Sequence, residues 1–142
     1  MIAKLSAHDV RQMIATAYAR RRSVLLSGCD LEDAVLQGVG LADASLQGAH
    51  LARADLRDAN LRGASLQSAD LSGANLGGAN LAGANLTGAN LTGTDLREAN
   101  LRGAHLNRAT LIDTDLRGAD LDDVYLGIRF IDRADISKAR RT

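Results

Sequence analysis

The chain has 142 residues, one domain by length, and its 17 Lys and Arg balance 17 Asp and Glu. Pro and Trp are absent and Tyr18, Tyr125 and Phe130 are the only aromatics, so an aromatic-built core is excluded. The lone Cys29 excludes an intramolecular disulfide framework and fits a reducing compartment. No stretch approaches the roughly 20 apolar residues of a membrane span. The start MIAKLSAHDV places Lys4, His8 and Asp9 where a signal peptide needs an apolar run, so a cytoplasmic location is expected.

Residues 1–22 read as a capping helix. Ser6 is placed as the N-cap, with Asp9 three residues later in a capping-box arrangement. Leu5 and Val10 are spaced as a hydrophobic staple. Val10, Met13, Ile14, Ala17 and Tyr18 share one helical face. Arg20, Arg21 and Arg22 suit the negative end of a helix dipole. The segment is expected to lie as a lid over the first part of the remaining chain.

Beyond residue 22 the chain is a repeat. From Leu26 to Leu126 every fifth residue is Leu, and Ile131 and Ile136 continue the series. Two places before each centre the residue is small, as at Cys29, Ala34, Ala74 and Thr94; one place before it is mostly Asp, Asn, Ser or His. Two places after it Gly is favoured, holding 11 of the chain's 14 glycines. On an α-helix, steps of five rotate by roughly 140° and scatter the leucines. On a strand, an odd step alternates faces. One short side and one turn per pentad remains, with Gly tolerating the positive φ of tight turns and Asn or Asp bonding local backbone. Such a chain coils with Leu and Ala inward. Arginines at 57, 97 and 117, and at 62 and 102, recur at multiples of 20, a hint of four sides per circuit.

The run A(N/D)LxG, clearest in ANLGGANLAGANLTGANLTG at 74–93, resembles the pentapeptide-repeat proteins over residues 24–138. The resemblance implies an all-β solenoid, a right-handed quadrilateral β-helix, here of about six coils in 23–138 with the N-terminal α-helical cap before it and a basic tail at 139–142. Leu26, Leu46, Leu66, Leu76, Leu86, Leu106 and Leu126 are then core. The last repeats, VYLGIRFIDRADISKARRT, depart from the pattern, since Arg129 falls in an inward slot. Tyr125, Ile128 and Phe130 there are read either as a cap or as the edge of a homodimer, a pairing that some relatives show.

Charge is uneven. Residues 1–22 carry five bases and one acid, and 23–138 carry ten bases and sixteen acids. On a four-sided stack, Ser27, Gln47, Gln67, Thr87 and Asn107 define an uncharged column. The next side, with Asp30, Glu32, Asp33, Asp70, Asp113 and Asp132, is the most acidic. A third stacks Asp55, Asp95 and Asp115 beside Arg57, Arg97 and Arg117. A leucine-filled coil offers no converging catalytic groups, so no enzyme, cofactor or metal site is expected. Cys29 reads as an inert core thiol, and His8, His50 and His105 are too dispersed for a zinc set. The short runs RRR and KARR read as solvated ends, not as nucleic-acid sites. The function expected is a rigid binding module or scaffold for a protein partner, through the uncharged side, the acidic side or the C-terminal edge. The alternative, carried by the resemblance, is a DNA mimic that binds a type II topoisomerase such as gyrase through its acidic side.

Overall fold

The computed structural model describes residues 2–126. It has one helix, α1 (Ala7–Ala19), and a β-solenoid whose coils pair through isolated parallel bridges. From Leu25 onward each bridge joins a residue to the one 20 positions later, so Leu25, Ser45, Ser65, Asn85, His105 and Tyr125 form one column. Parallel columns start at Asp30, Val35 and Gly40. One circuit is therefore four pentads, and the hinted 20-residue register is the register of the fold. The sides are named below by their first leucine: Leu26, Leu31, Leu36 and Leu41.

Each pentad repeats the same local chemistry. The N–H two places before the next centre donates to the leucine carbonyl three residues back, as from Cys29 to Leu26 at 3.2 Å and from Ala79 to Leu76 at 3.0 Å. This closes a four-residue turn. Its third residue has positive φ at every pentad from Gly28 to Asp123, as a type II turn demands. Gly fills the place most often because it has no Cβ to clash. Asp33, Asp43, Arg53, Asp58, Ser68, Glu98, Arg108, Asp113 and Asp123 hold the same conformation without that freedom. The Asp or Asn before each leucine has a matching task. Its Oδ1 accepts the N–H two residues on, as Asn80 does from Ala82 at 3.1 Å and Asn75 from Gly77 at 3.0 Å.

Between coils, the leucine N–H donates down to the carbonyl 19 residues on, as from Leu76 to Asp95 at 2.7 Å. The residue before the leucine donates up, as from Asn75 to Ala54 at 2.9 Å. Backbone groups are thus paired coil to coil. The interior is a continuous column of Leu and small residues: Leu26, Leu46, Leu66, Leu76 and Leu86 are fully buried, Leu106 is 3 % exposed, and Leu126 is half-buried. Thr94 and Thr114 replace Ala in the small slot of the Leu36 side. Their hydroxyls donate to the carbonyls of Leu71 at 2.8 Å and Leu91 at 2.7 Å, so neither is an unmet polar group. Cys29 sits in the same kind of slot but is only half-buried.

The helix sits at the first coil. Ser6 N–H donates to Asp9 Oδ2 at 2.8 Å and Asp9 N–H donates to Ser6 Oγ at 3.1 Å, a reciprocal capping box. At its other end Arg21 adopts φ 51°, Arg21 N–H donates to Tyr18 O and Arg22 N–H to Ala17 O, a Schellman closure with Arg where Gly is usual. The arginines therefore come after the last turn rather than fill it. Val10 and Ile14 join the solenoid core, and Leu5, Met13 and Ala17 pack partly against it. Tyr18 departs from the expected inward face. It is 60 % exposed, with its hydroxyl lying over Gly40 at the rim, where a Cβ would come within 3.1 Å. The phenol keeps its polar end in water at a place without a side chain. Just before the helix, Lys4 bridges Asp30 and Leu5 N–H donates to Asp30 O at 2.8 Å, adding a strand position above the Leu31 side.

Candidate interaction surfaces

The outward positions form linear columns, because every coil repeats the same register at about 4.8 Å. The Leu26 side carries Ser27, Gln47, Gln67, Thr87 and Asn107, and Ser27 Oγ donates to Gln47 Oε1 at 2.7 Å. Gln67 Oε1 is buried without a hydrogen-bond partner. At the foot of this side Tyr125 stacks on His105, with ring centres 4.5 Å apart and planes 15° apart, and remains 56 % exposed.

On the Leu31 side the acids do not make a continuous field. Asp30, Glu32 and Asp33 gather at the first coil, where Arg53 reaches up to Glu32 at 2.6 Å and Asp33 at 2.8 Å, and Lys4 reaches Asp33 at 3.4 Å. Hydrogen bonds from Arg53 hold the Asp33 carboxyl below its ordinary range. Asp70 lies two coils further on. Burial works to raise it, but donors from Ser72 and Asn90 outweigh burial and it titrates low. Asp113 is exposed and distant from that group, with Ser, Gly, Asn and Thr between. Asp132, Ile128 and Phe130 lie outside the described residues. Of the acids expected on this side, Asp30, Glu32 and Asp33 gather at the first coil while Asp70 and Asp113 stand apart, and Tyr125, of the expected C-terminal edge, lies at the foot of the Leu26 side.

The Leu36 side is a ladder of forks. Arg57 binds Asp55 through Nε at 2.8 Å and Nη2 at 2.6 Å, and Arg97 binds Asp95 at 2.9 and 2.6 Å in the same way. Arg117 forks Asp115, with Nε–Oδ1 at 2.8 Å. These hydrogen bonds hold Asp55, Asp95 and Asp115 below, and Arg57 and Arg97 above, their ordinary ranges. The ladder misses one rung. Where the second, fourth and fifth coils have Asp and Arg, the third has Asn75 and Gly77, and an open groove of about 750 Å³ runs along this side from Gln37 to Arg117, past Arg57, Asp58, Gly77 and Arg97. Charge alone reveals the arginine row but not its gap. The signal for the gap is Gly at 77 in the series 57, 77, 97, 117.

A second cavity, about 360 Å³, lies between α1 and the first coil, with Met13, Ala17, Val24 and Leu25 beside Arg20 and Arg22. Leu25 and Val35 are exposed at places where later coils carry polar residues. Among the described residues no group of His, Cys, Asp and Glu is placed to hold a metal ion. No helix among them is long and apolar enough to cross a membrane.

The 20-residue register, the leucine column and the turn at every fifth residue define a β-solenoid built on a five-residue unit. The family described as Pentapeptide repeats matches in eight copies at residues 22–51, 40–78, 64–103 and 89–126, and the chain belongs to that family. It is similar to the crystal structure of a pentapeptide repeat protein, Rfr23, from the cyanobacterium Cyanothece 51142. The identity is 26 %, covering 88 % of this chain and 95 % of that one, at a TM-score of 0.60. A pentapeptide repeat protein from Nostoc Pcc 7120, alr5209, is 31 % identical over 99 % of this chain and 98 % of that one, at a TM-score of 0.42. QnrB1, a plasmid-mediated fluoroquinolone resistance protein, is 25 % identical over 73 % of this chain and 60 % of that one, at 0.33. None of the curated proteins matches the chain.

Proposed function

We propose that the protein is a non-catalytic, rigid binding module that presents its outer columns to a protein partner in the cytoplasm. The observation that carries this is the contrast between a filled interior and four differently lettered sides held in one register. Leu and Ala occupy the axis, so chemistry is confined to the outside, where side chains repeat at fixed spacing. In this reading residues 1–22 are the lid, the coils run on to about 138 to give about six, and 139–142 are a basic tail. The lid is needed because an open coil end exposes apolar core and unpaired backbone. The Asp30, Glu32 and Asp33 cluster is a candidate contact, and the C-terminal end, from Tyr125 on, is a candidate cap or homodimer edge. The test is capture from the source cell by the immobilised protein, against a variant with Asp30, Glu32 and Asp33 changed to Lys. A partner retained by the first and lost by the second at moderate salt is the expected result; no saturable partner for either overturns the reading.

A second reading has its own observation. Residues 23–126 hold seven bases and fourteen acids, so the body is acidic. A DNA mimic bound to a type II topoisomerase would use that charge. The forks to Arg57, Arg97 and Arg117 favour the first reading, because they interrupt the negative field on one side and Arg53 interrupts it on another. A gyrase supercoiling assay separates the two. Salt-sensitive inhibition at micromolar protein supports the mimic, and supercoiling unchanged at that concentration removes it.

A further inference from the structure

We infer that the missing rung at Asn75 and Gly77 is a receptor for a guanidinium group, an arginine side chain presented by the partner; this rests on the binding-module reading above. The Arg57–Asp55 and Arg97–Asp95 forks lie two coils apart, about 10 Å at strand spacing, within an open groove whose lining runs from Gln37 in the first coil to Arg117 in the fifth. The gap between the two forks is the space of one ladder layer. Gly77 opens it, since its neighbours in the column at 57, 97 and 117 all carry arginine.

The pairing of charges decides what enters. Among the described residues of the Leu36 side the three arginines face five acids, Asp55, Asp58, Asp95, Glu98 and Asp115; the groove itself is lined by the three arginines and three of the acids, Asp58, Asp95 and Glu98. Each guanidinium is already forked by the aspartate of its own pentad, which leaves it poorly placed to take an incoming anion. Asp58 leans over Gly78, where a Cβ would lie 2.6 Å from its Oδ1, and so brings a carboxylate to the edge of the groove. Asp58 has no hydrogen-bond donor among the described residues.

The intact part of the ladder is a template for the fit. Arg97 forks its own Asp95 and also places Nε 3.7 Å from Asp115 Oδ2 in the coil below. By that register a guanidinium in the empty layer faces Asp95, with Asp58 at its side and the Asn75 amide behind it. A planar cation with several donors suits this better than an ammonium, because it stacks between flat forks while pairing in its own plane.

The test uses the full chain and a short acetylated, amidated Gly-Arg-Gly peptide, followed by amide nuclear magnetic resonance at millimolar peptide. Expected are shifts at the Asn75 side-chain amide and at Gly77 and Gly78. The citrulline peptide, of the same shape without charge, should produce none, and the lysine peptide weaker ones. Gly77→Arg rebuilds the rung within the chain and should abolish the shifts. Should that variant melt below the parent, Asp58→Asn supplies the second reading and should weaken them several-fold. Equal shifts in both variants, no shifts at 75–78, or preference for a glutamate peptide would each overturn the inference. The peptide result stands apart from partner capture: a captured partner with no arginine-peptide binding removes the notch and leaves the module.

Discussion

The coils around residues 64–93 and the first coil at 24–43 are made of the same unit but are stabilised differently. In the middle, the small slot is Ala, the place before each leucine is mostly Asn, and pairing runs to coils above and below. In the first coil the small slots hold Val24, Cys29, Ala34 and Val39, and the places before the leucines hold Leu25, Asp30, Val35 and Gly40. Only one neighbouring coil is there. Val10 and Ile14 of α1 supply the apolar contact that another coil would give. Strict repetition is thus required by mutual stacking, and departures mark where something else must do the stacking.

The largest effect is expected in the middle. Leu76 is fully buried with coils on both sides, and Leu76→Asp places an unpaired carboxylate in the leucine column. The loss of the native melting transition by circular dichroism is the expected outcome. Leu76→Ala, which leaves a cavity instead, should cost about 2–5 kcal/mol in urea unfolding. A native melting profile for the aspartate variant would mean that Leu76 does not face the axis.

Val10→Ala probes the other region. Val10 is fully buried beneath the helix, and truncating it should cost about 2 kcal/mol. The contrast between the regions is sharpened by where the loss appears. Hydrogen exchange should rise first in α1 and the first coil and leave 64–93 protected. Exchange rising equally along the chain would show that the helix and the stack unfold as one unit.

The same division accounts for how much of the molecule is legible in its sequence. The leucine period and the small slots mark the axis, because burial admits few residue types there. The 20-residue register is visible only through arginines that happen to recur. The turn glycines are legible, yet Asp58, Glu98 and Arg108 hold the same positive φ, so composition alone understates how regular the backbone is. The surface is least legible. An acid count places Asp70 and Asp113 with Asp30, but whether such charges form a field depends on which side chains reach across a coil, as Arg53 does to Asp33. Tyr18 is misplaced by sequence for a related reason: helical periodicity gives a face, not where that face runs past the rim.

A smaller effect is expected at the helix end. Arg21 sits at φ 51° in the Schellman position, where a Cβ is disfavoured. Arg21→Gly should stabilise the helix by a few tenths to about 1 kcal/mol, against the loss of a residue whose unfolded chain is stiffer than glycine's. A rise in the melting temperature of the α1 exchange unit checks it. The same change at a middle turn, Asp58→Gly, relieves a similar conformation at φ 57° but also removes a carboxylate from the rung gap. The two variants therefore separate backbone relief from surface charge.

The smallest effect per group is expected from acid, and its sign comes from the forks. Asp55, Asp95 and Asp115 lie below the ordinary aspartate value of 3.8, chiefly because Arg57, Arg97 and Arg117 donate hydrogen bonds to them. A lowered folded-state value means the unfolded chain takes up protons first as pH falls. Their contribution is present in full above about pH 4 and is lost progressively below it, through the lower folded values. These groups sit on the surface, so each contributes little and salt screens it. The effect should still differ between regions. Protonation leaves Arg97 and Arg117 in adjacent coils of one column facing each other without their aspartates. The coils at 64–93 carry only Asp70, which Ser72 and Asn90 hold by hydrogen bonds and not by an arginine fork. Exchange measured at falling pH should therefore loosen 95–118 before 74–93. The reverse order would show that the forks are incidental to the stack.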